Sequence, residues 1–593
     1  MATETTAGFL DEALKHLADN RPLLPMYLHL ILSALFPIYT GAHASLSRPA
    51  SAAEPPKKDK TRSDTAQEDG DDEETIQKME GLSPQDAIIF PITAGLVLGG
   101  LYFLIKYYGA DVINFVLGWY FSVVGVFSVA KLVNDGIGFL SQLVFPRHFN
   151  YKGRVWKASE GDRKMNALDG SETTDMASPQ TPTPLLPWLN GRGAKGAWGI
   201  RAVVKRKFAF EAYARTLFDI SAKITLLNIL ATAISIALIA YSNLVSCPWW
   251  LTNIQGFAVS YSALQYMSPT SFTTGTLILI GLFFYDIWAV FFTPLMVSVA
   301  TNLEQPIKLV FPRPDEPGVD GEPPVKNYSM LGLGDIVLPG IVIGLALRFD
   351  LHLFYLKQQQ RRGKSLRSSE INGSTASEVE KPLYISATSR WGDRLWTWSA
   401  KSPLPEVEAA RFPKPYFNAS LVGYVLGMLT TLAVMSIFQH AQPALLYLVP
   451  GVLISLWTTA IARGEVKEMW AFSEGLEEEL EDEKKKEESK NIKVGDAEVG
   501  SFGRFWKLFS QGDKTVNKDA KNTLESKKLS GEARSEGTTK TNDAGEKKEK
   551  EDEDENDDKV GLWLYVSIRD VDFKPKSTKG RRDSPTAPYP SLE

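Results

Sequence analysis

Two acidic residues lie inside apolar runs. Asp286 sits within residues 277–299 (LILIGLFFYDIWAVFFTPLMVSV), and Asp335 lies near the head of the next run, residues 330–347 (MLGLGDIVLPGIVIGLAL). A carboxylate at hydrocarbon depth costs about 2.5–3.5 kcal/mol even on insertion scales, so it is expected to face a partner or a wet cavity and to serve function. Neither run contains Lys or Arg, which leaves each acid as the other's natural partner. Two carboxyl groups on neighbouring helices can share one proton, one activating water while the other protonates a carbonyl oxygen. That is the chemistry of aspartic proteolysis, set at membrane depth.

The flanking residues support close approach. Tyr285 precedes Asp286, and Leu282, Asp286, Ala289 and Thr293 share one helical face on which the small Ala289 and Thr293 leave room for a neighbouring helix or a substrate. Gly332, Leu333 and Gly334 lead into Asp335, where glycine lets backbones come near and adopt unusual dihedrals. A GxGD string alone is weak, but beside a mid-membrane Tyr-Asp it becomes specific. A third segment, Gln442-Pro443-Ala444-Leu445, heads the last apolar run. Proline in a first helical turn is ordinary capping. A protease, however, must hold its substrate extended, because a helix hides its own carbonyls, and an irregular Pro-Ala-Leu segment can offer backbone groups for strand addition.

The elements that carry these residues are read from hydropathy. Apolar windows near 23–41, 86–107, 112–135, 219–241, 249–267, 275–300, 330–349, 417–438 and 442–463 predict an all-α polytopic membrane protein of about nine transmembrane helices. Asn253, Gln255 and several serines make the fifth window the weakest. The first reads as a retained helix, because the acidic residues before it do not suit a cleaved signal. Residues 1–22 form an N-terminal segment, 23–135 three helices with a charged linker at 42–85, and 136–218 a loop. Residues 219–350 carry four helices with the YD and GLGD motifs, 351–416 a second loop, 417–463 two helices with QPAL, and 464–593 a low-complexity tail. Lys and Arg concentrate after the first, third, seventh and ninth windows, which predicts a lumenal N-terminus and a cytosolic C-terminus. In the tail, residues 502–509 suit a membrane-surface helix and 562–573 alternate like a strand, although sticky segments in a disordered tail fit both equally well.

Composition excludes several classes. With 593 residues, a net charge of -5 and one cysteine, Cys247, the chain supports no nucleic-acid partner, no intramolecular disulfide and no thiolate metal cage. No HExxH or GxSxG string offers zinc or serine chemistry. The expectation is catalysis without a cofactor or metal. A transporter or channel using the two acids as a proton relay is the rival reading, and an idle scaffold in a degradation complex a weaker one.

YD in one membrane helix, GLGD in the next and QPAL before the last resemble the presenilin-type intramembrane aspartyl proteases. PIKLVFP at 306–312, LRFD at 347–350, HAQPALLYLVP at 440–450 and ARGEVKEMW at 462–470 are similar to the signal peptide peptidase branch of that family. The resemblance implies a nine-helix fold with Asp286 and Asp335 catalytic, and Tyr285, Gly332, Leu333, Gly334, Gln442, Pro443, Ala444 and Leu445 supporting the site. It implies residence in the endoplasmic reticulum membrane and cleavage of membrane-spanning peptides, namely type II segments such as signal-peptide remnants. Homo-oligomers or degradation-complex partners remain open. The long loops and the absence of a terminal Lys-Lys pair depart from the pattern and leave retention open.

Overall fold

The computed structural model describes residues 23–53, 79–168, 178–214, 218–303, 305–313, 328–369, 381–388, 391–398, 411–438, 442–474 and 564–570. The expected surface helix at 502–509 and most of the charged linker and tail lie outside them.

Local chemistry sets the helix ends. α1 spans Leu24–Ala44. α2 (Pro84–Tyr108) opens on a capping box, in which Ser83 Oγ accepts the Asp86 N–H while the Asp86 carboxylate accepts the Ser83 N–H at 2.9 Å. Gly109, at φ 86°, takes a backbone conformation that side chains resist, so α3 (Ala110–Val144) begins without a loop. After α4 (Arg192–Lys205) come α5 (Leu226–Leu244), α6 (Trp249–Tyr266) and α7 (Phe272–Phe291). The window expected to run to residue 300 breaks after Phe291, because Pro294 lacks an N–H to continue the ladder. The chain resumes as α8 (Leu295–Asn302). α9 (Gly334–Ser369) runs well past the expected end of its window, and α10 (Trp391–Trp396), α11 (Pro415–Phe438), α12 (Leu445–Arg463) and α13 (Val466–Ala471) complete the helices.

Among the described residues, eight helices are long and apolar enough to cross a membrane: α1, α2, α3, α5, α7, α9, α11 and α12. The weak fifth window is a helix, α6, but its polar residues keep it off that count. They face protein: Gln255 Nε2 donates to Ser242 Oγ at 3.0 Å, and the Tyr261 hydroxyl donates to Asp135 at 2.8 Å. α6 packs on both α1 and α3, so its hydrogen bonds are met inside the bundle, where hydropathy counts them as a cost.

α9 packs on α1, α7, α11 and α12. α11 and α12 meet through glycines: a Cβ on Gly423 would lie 2.3 Å from the Gly451 carbonyl oxygen, and one on Gly427 2.8 Å from that of Tyr447. Gly423 and Gly427 are four apart on one face, the small-xxx-small spacing that brings membrane helices into backbone contact. At the end of α9's buried stretch, Arg348 donates to Glu474 at 2.6 Å, to Ser45 Oγ at 2.6 Å and to Ser268. That network ties α1, α9 and the segment after α13 together.

The strands lie largely outside the bundle. β1 (Glu80–Leu82) pairs in parallel with β7 (Met267–Pro269). β2 (His148–Tyr151), β3 (Arg154–Ser159) and β4 (Lys164–Ala167) form an antiparallel sheet around Phe149, Trp156, Met165 and Trp198. Residues expected to open the fourth span instead form β6 (Phe218–Thr225), paired with β5 (Lys207–Ala214). The alternating tail segment becomes β10 (Leu564–Asp570), antiparallel to β5. β8 (Lys308–Pro312) and β9 (Tyr328–Gly332) form a two-stranded antiparallel sheet immediately ahead of α9.

Candidate active site

Asp286 is positioned from two sides. It lies in α7 with 4 % of its surface exposed, and its Oδ2 accepts the Leu445 N–H at 3.1 Å. Leu445 is the first residue of α12, whose leading N–H groups have no partner within the helix. The carboxylate therefore sits at the positive end of that helix dipole. The Pro443 carbonyl accepts from Leu446 and that of Ala444 from Leu448, so the Pro-Ala-Leu segment is a helix entry aimed at Asp286. The glycine contacts between α11 and α12 fix where that entry stands.

Asp335 lies in the first turn of α9 and is half-buried. Pro339, four residues on, has no N–H to give the Asp335 carbonyl, and the Tyr424 hydroxyl of α11 donates to that oxygen instead, at 3.2 Å. The Asp335 carboxyl group lies against Gly332, and the charge of Asp286 acts on it. A Cβ at Gly332 would stand 3.3 Å from Asp335 Oδ2. The two aspartates thus converge from α7 and α9, with the α12 entry beside Asp286.

The remaining expected residues divide by role. Leu333 is buried, donates its N–H to the Ile307 carbonyl at 3.0 Å and accepts from Ile336 and Val337, joining the β8–β9 sheet to α9. Gly334 is the first residue of α9. Tyr285 turns toward α2: its hydroxyl lies 3.5 Å from the Ala94 carbonyl oxygen, and its ring lies over Gly95. Gln442 is half-buried, one residue outside the Pro-Ala-Leu entry of α12.

Sequence reasoning missed the strand edge beside Asp335. Asn253 of α6 donates Nδ2 to the Val310 carbonyl at 2.9 Å and accepts the Val310 N–H at 2.7 Å. Both backbone groups of Val310 thus point away from β9, so Val310 and Met330 form a non-hydrogen-bonded pair. By the same alternation Tyr328, Met330 and Gly332 turn their N–H and C=O groups to the far edge of β9. Asn253 seals one side of the sheet, and among the described residues no strand pairs with the other. An asparagine in an apolar window marks Asn253 as unusual, but not the strand edge it meets.

Residues 73–475, well over half of the chain, match the family model described as signal peptide peptidase. The chain belongs to the signal peptide peptidase family. It is 28% identical to the signal peptide peptidase of Mus musculus over 451 residues, covering 76% of this chain and 83% of the relative. The human signal peptide peptidase is 27% identical with the same coverage, and intramembrane protease 2 of Caenorhabditis elegans is 34% identical over 251 residues, 42% of this chain and 44% of the relative. The chain is an intramembrane aspartic protease that acts on membrane-helix peptides. The proton-relay alternative is not favoured.

Proposed function

We propose that Asp286 and Asp335 are the catalytic pair and that the substrates are type II membrane segments such as signal-peptide remnants. The observation that carries this reading is the approach of two membrane-depth carboxyl groups from the packed helices α7 and α9, Asp286 held by the Leu445 N–H and Asp335 in the first turn of α9 against Gly332. One carboxylate takes a proton from water, which attacks the scissile carbonyl, while the other carboxyl protonates the carbonyl oxygen. The substrate lies extended along the far edge of β9, antiparallel or parallel to Met330 and Gly332, so that its scissile bond reaches Asp335. The names of the mouse and human relatives support signal peptides as the substrate class. The segregation of Lys and Arg to the connections after the first, third, seventh and ninth windows supports a lumenal N-terminus and a cytosolic C-terminus, and the likeness to signal peptide peptidases supports residence in the endoplasmic reticulum membrane.

The test is cleavage of a model signal peptide by detergent-solubilised protein. Asp286→Asn and Asp335→Asn should each lower turnover by about a thousandfold or more, and the double variant should be no worse than either, as for groups that act as one unit. Substantial cleavage by either folded single variant refutes the shared-proton mechanism.

A further inference from the structure

At the end of the bundle where α1 finishes and α11 starts lies a cleft that the aspartates do not use. It is bordered by His43, Trp391, Arg394, Phe412 and Lys414. His43 is the penultimate residue of α1, Lys414 immediately precedes α11, and the short helix α10 brings Trp391 and Arg394 against the end of α3.

Two cations, Lys414 and Arg394, border it, and Arg411 lies alongside with its guanidinium 5.8 Å over the Trp398 ring. Lys414 Nζ lies 2.7 Å from His43 Nε2. The other ring nitrogen of His43 lies 2.8 Å from the Tyr39 carbonyl oxygen, to which it donates, so Nε2 is the acceptor that orients the ammonium group. Arg394 stacks over Trp391 at 5.7 Å. Arg411 donates to the Arg394 carbonyl at 3.2 Å, and its buried Nε has no hydrogen-bond partner. Among the described residues none of Arg394, Arg411 and Lys414 has a carboxylate at ion-pair distance. The two nearby acids are engaged elsewhere: Asp350 accepts the Tyr416 and Phe417 N–H groups, and Asp393 accepts from His148 and from the Arg147 N–H. Burial, and then the charge of Arg394, hold Lys414 down to about 8, and the more distant Asp350 offsets this only in part.

The rim of the cleft is apolar. Trp391 lies 6.2 Å from Tyr39 and 6.4 Å from Phe139, ring to ring, and beside them Leu140 is 59% exposed on the outer face of α3. Trp and Tyr at a helix end, continuous with exposed apolar side chains, mark the level at which headgroups meet acyl chains.

We propose that this cleft binds the phosphate group of an anionic phospholipid, with Lys414 and Arg394 meeting the phosphate oxygens and Trp391 and Phe412 bordering the carbons beyond. Guanidinium groups match phosphate oxygens in a planar fork, and basic pockets between membrane helices gather anionic headgroups. Free phosphate offers the same oxygens, but it would leave the apolar rim without a partner.

The test uses the purified full chain in neutral detergent, with native mass spectrometry as the readout and three probes: dioctanoyl phosphatidic acid, dioctanoyl phosphatidylcholine and inorganic phosphate. Phosphatidic acid should bind more tightly than phosphatidylcholine. Arg394→Gln and Lys414→Gln should each weaken it by about tenfold, the loss of one charge-assisted contact, while Lys414→Arg should retain it. A measurement on the unaltered chain guards against misfolded variants: phosphatidic acid should shield Lys414 from an amine-reactive reagent, read by peptide mass spectrometry. Unchanged binding in folded variants, no shielding, or equal binding of the two lipids overturns the proposal. Inorganic phosphate binding as tightly as phosphatidic acid would keep a phosphate site and overturn the lipid as its occupant.

Discussion

α2 and α9 are both apolar enough to span a membrane, yet the fold treats them in opposite ways. Over its spanning window α9 is 83% buried by other parts of the protein, whereas no residue of the α2 window is. The difference lies in small residues and polar partners. Gly340 of α9 stands where a Cβ would come within 2.8 Å of Leu264, while Gly99 and Gly100 of α2 have nothing within 4 Å. Apolar composition says that a helix can enter a bilayer. Close steric fit says which helices the protein surrounds: Asp335 stands on the enclosed α9, and Asp286 on the buried face of α7, whose window is 39% buried.

The sharpest way to break this comparison is at the α11–α12 contact. Gly423→Leu forces a side chain onto the Gly451 carbonyl and should cost about 3 kcal/mol or more. Cleavage should fall with it, because Leu445 leaves Asp286. Thermal unfolding and peptide turnover in detergent measure both. A well-folded, active Gly423→Leu protein would show that this fit does not hold the site.

Next in size is the Arg348 network. Arg348 is 3% exposed and Glu474 is partly exposed, so Glu474→Ala should cost about 2 kcal/mol, below the range for a wholly buried pair. Truncation after residue 474 should leave cleavage intact, while truncation after residue 470 should cost more than Glu474→Ala, because it also removes the buried Phe472. Equal stability of the two truncated forms would dissociate the network from the fold.

A smaller effect is expected at β9. Met330→Pro removes one outward N–H without touching the ladder to β8, since Met330 faces Val310 in a non-hydrogen-bonded pair. It should lower kcat/KM by about tenfold, the worth of one hydrogen bond, with little change in thermal stability. Full activity would move the substrate strand elsewhere. The smallest effect, of opposite sign, is Gly99→Ala in α2, which should stabilise by up to about 1 kcal/mol through helix propensity. A loss of stability there would reveal a partner for α2.

The apolar runs, the two acids and the motifs beside them were legible because charge in hydrocarbon and glycine next to an acid are rare enough to carry meaning. The α11–α12 contact was legible too, as a Gly-x-x-x-Gly spacing at 423 and 427, but it went unread beside the acids. α6 was under-read for a physical reason: hydropathy assumes lipid around each residue, and Asn253, Gln255 and Tyr261 are instead bonded to protein. The β9 edge was illegible, since its open side follows from Asn253 meeting Val310, residues 57 apart in the chain. The Tyr424 bond to the carbonyl that Pro339 leaves free also needed three dimensions.

The length of α9 has a mechanical consequence. Its 36 residues make a rod of about 54 Å at 1.5 Å per residue, against a hydrocarbon core of about 30 Å. At least about 20 Å of rigid helix therefore stands beyond the bilayer core, on the same shaft whose opposite tip carries Asp335. Lys357, on the outer part, is latched to Glu465 at 2.8 Å, so the lever is braced where it leaves the bundle. A protein that gripped its free end would tilt the shaft, and the tilt would arrive at Asp335 as displacement.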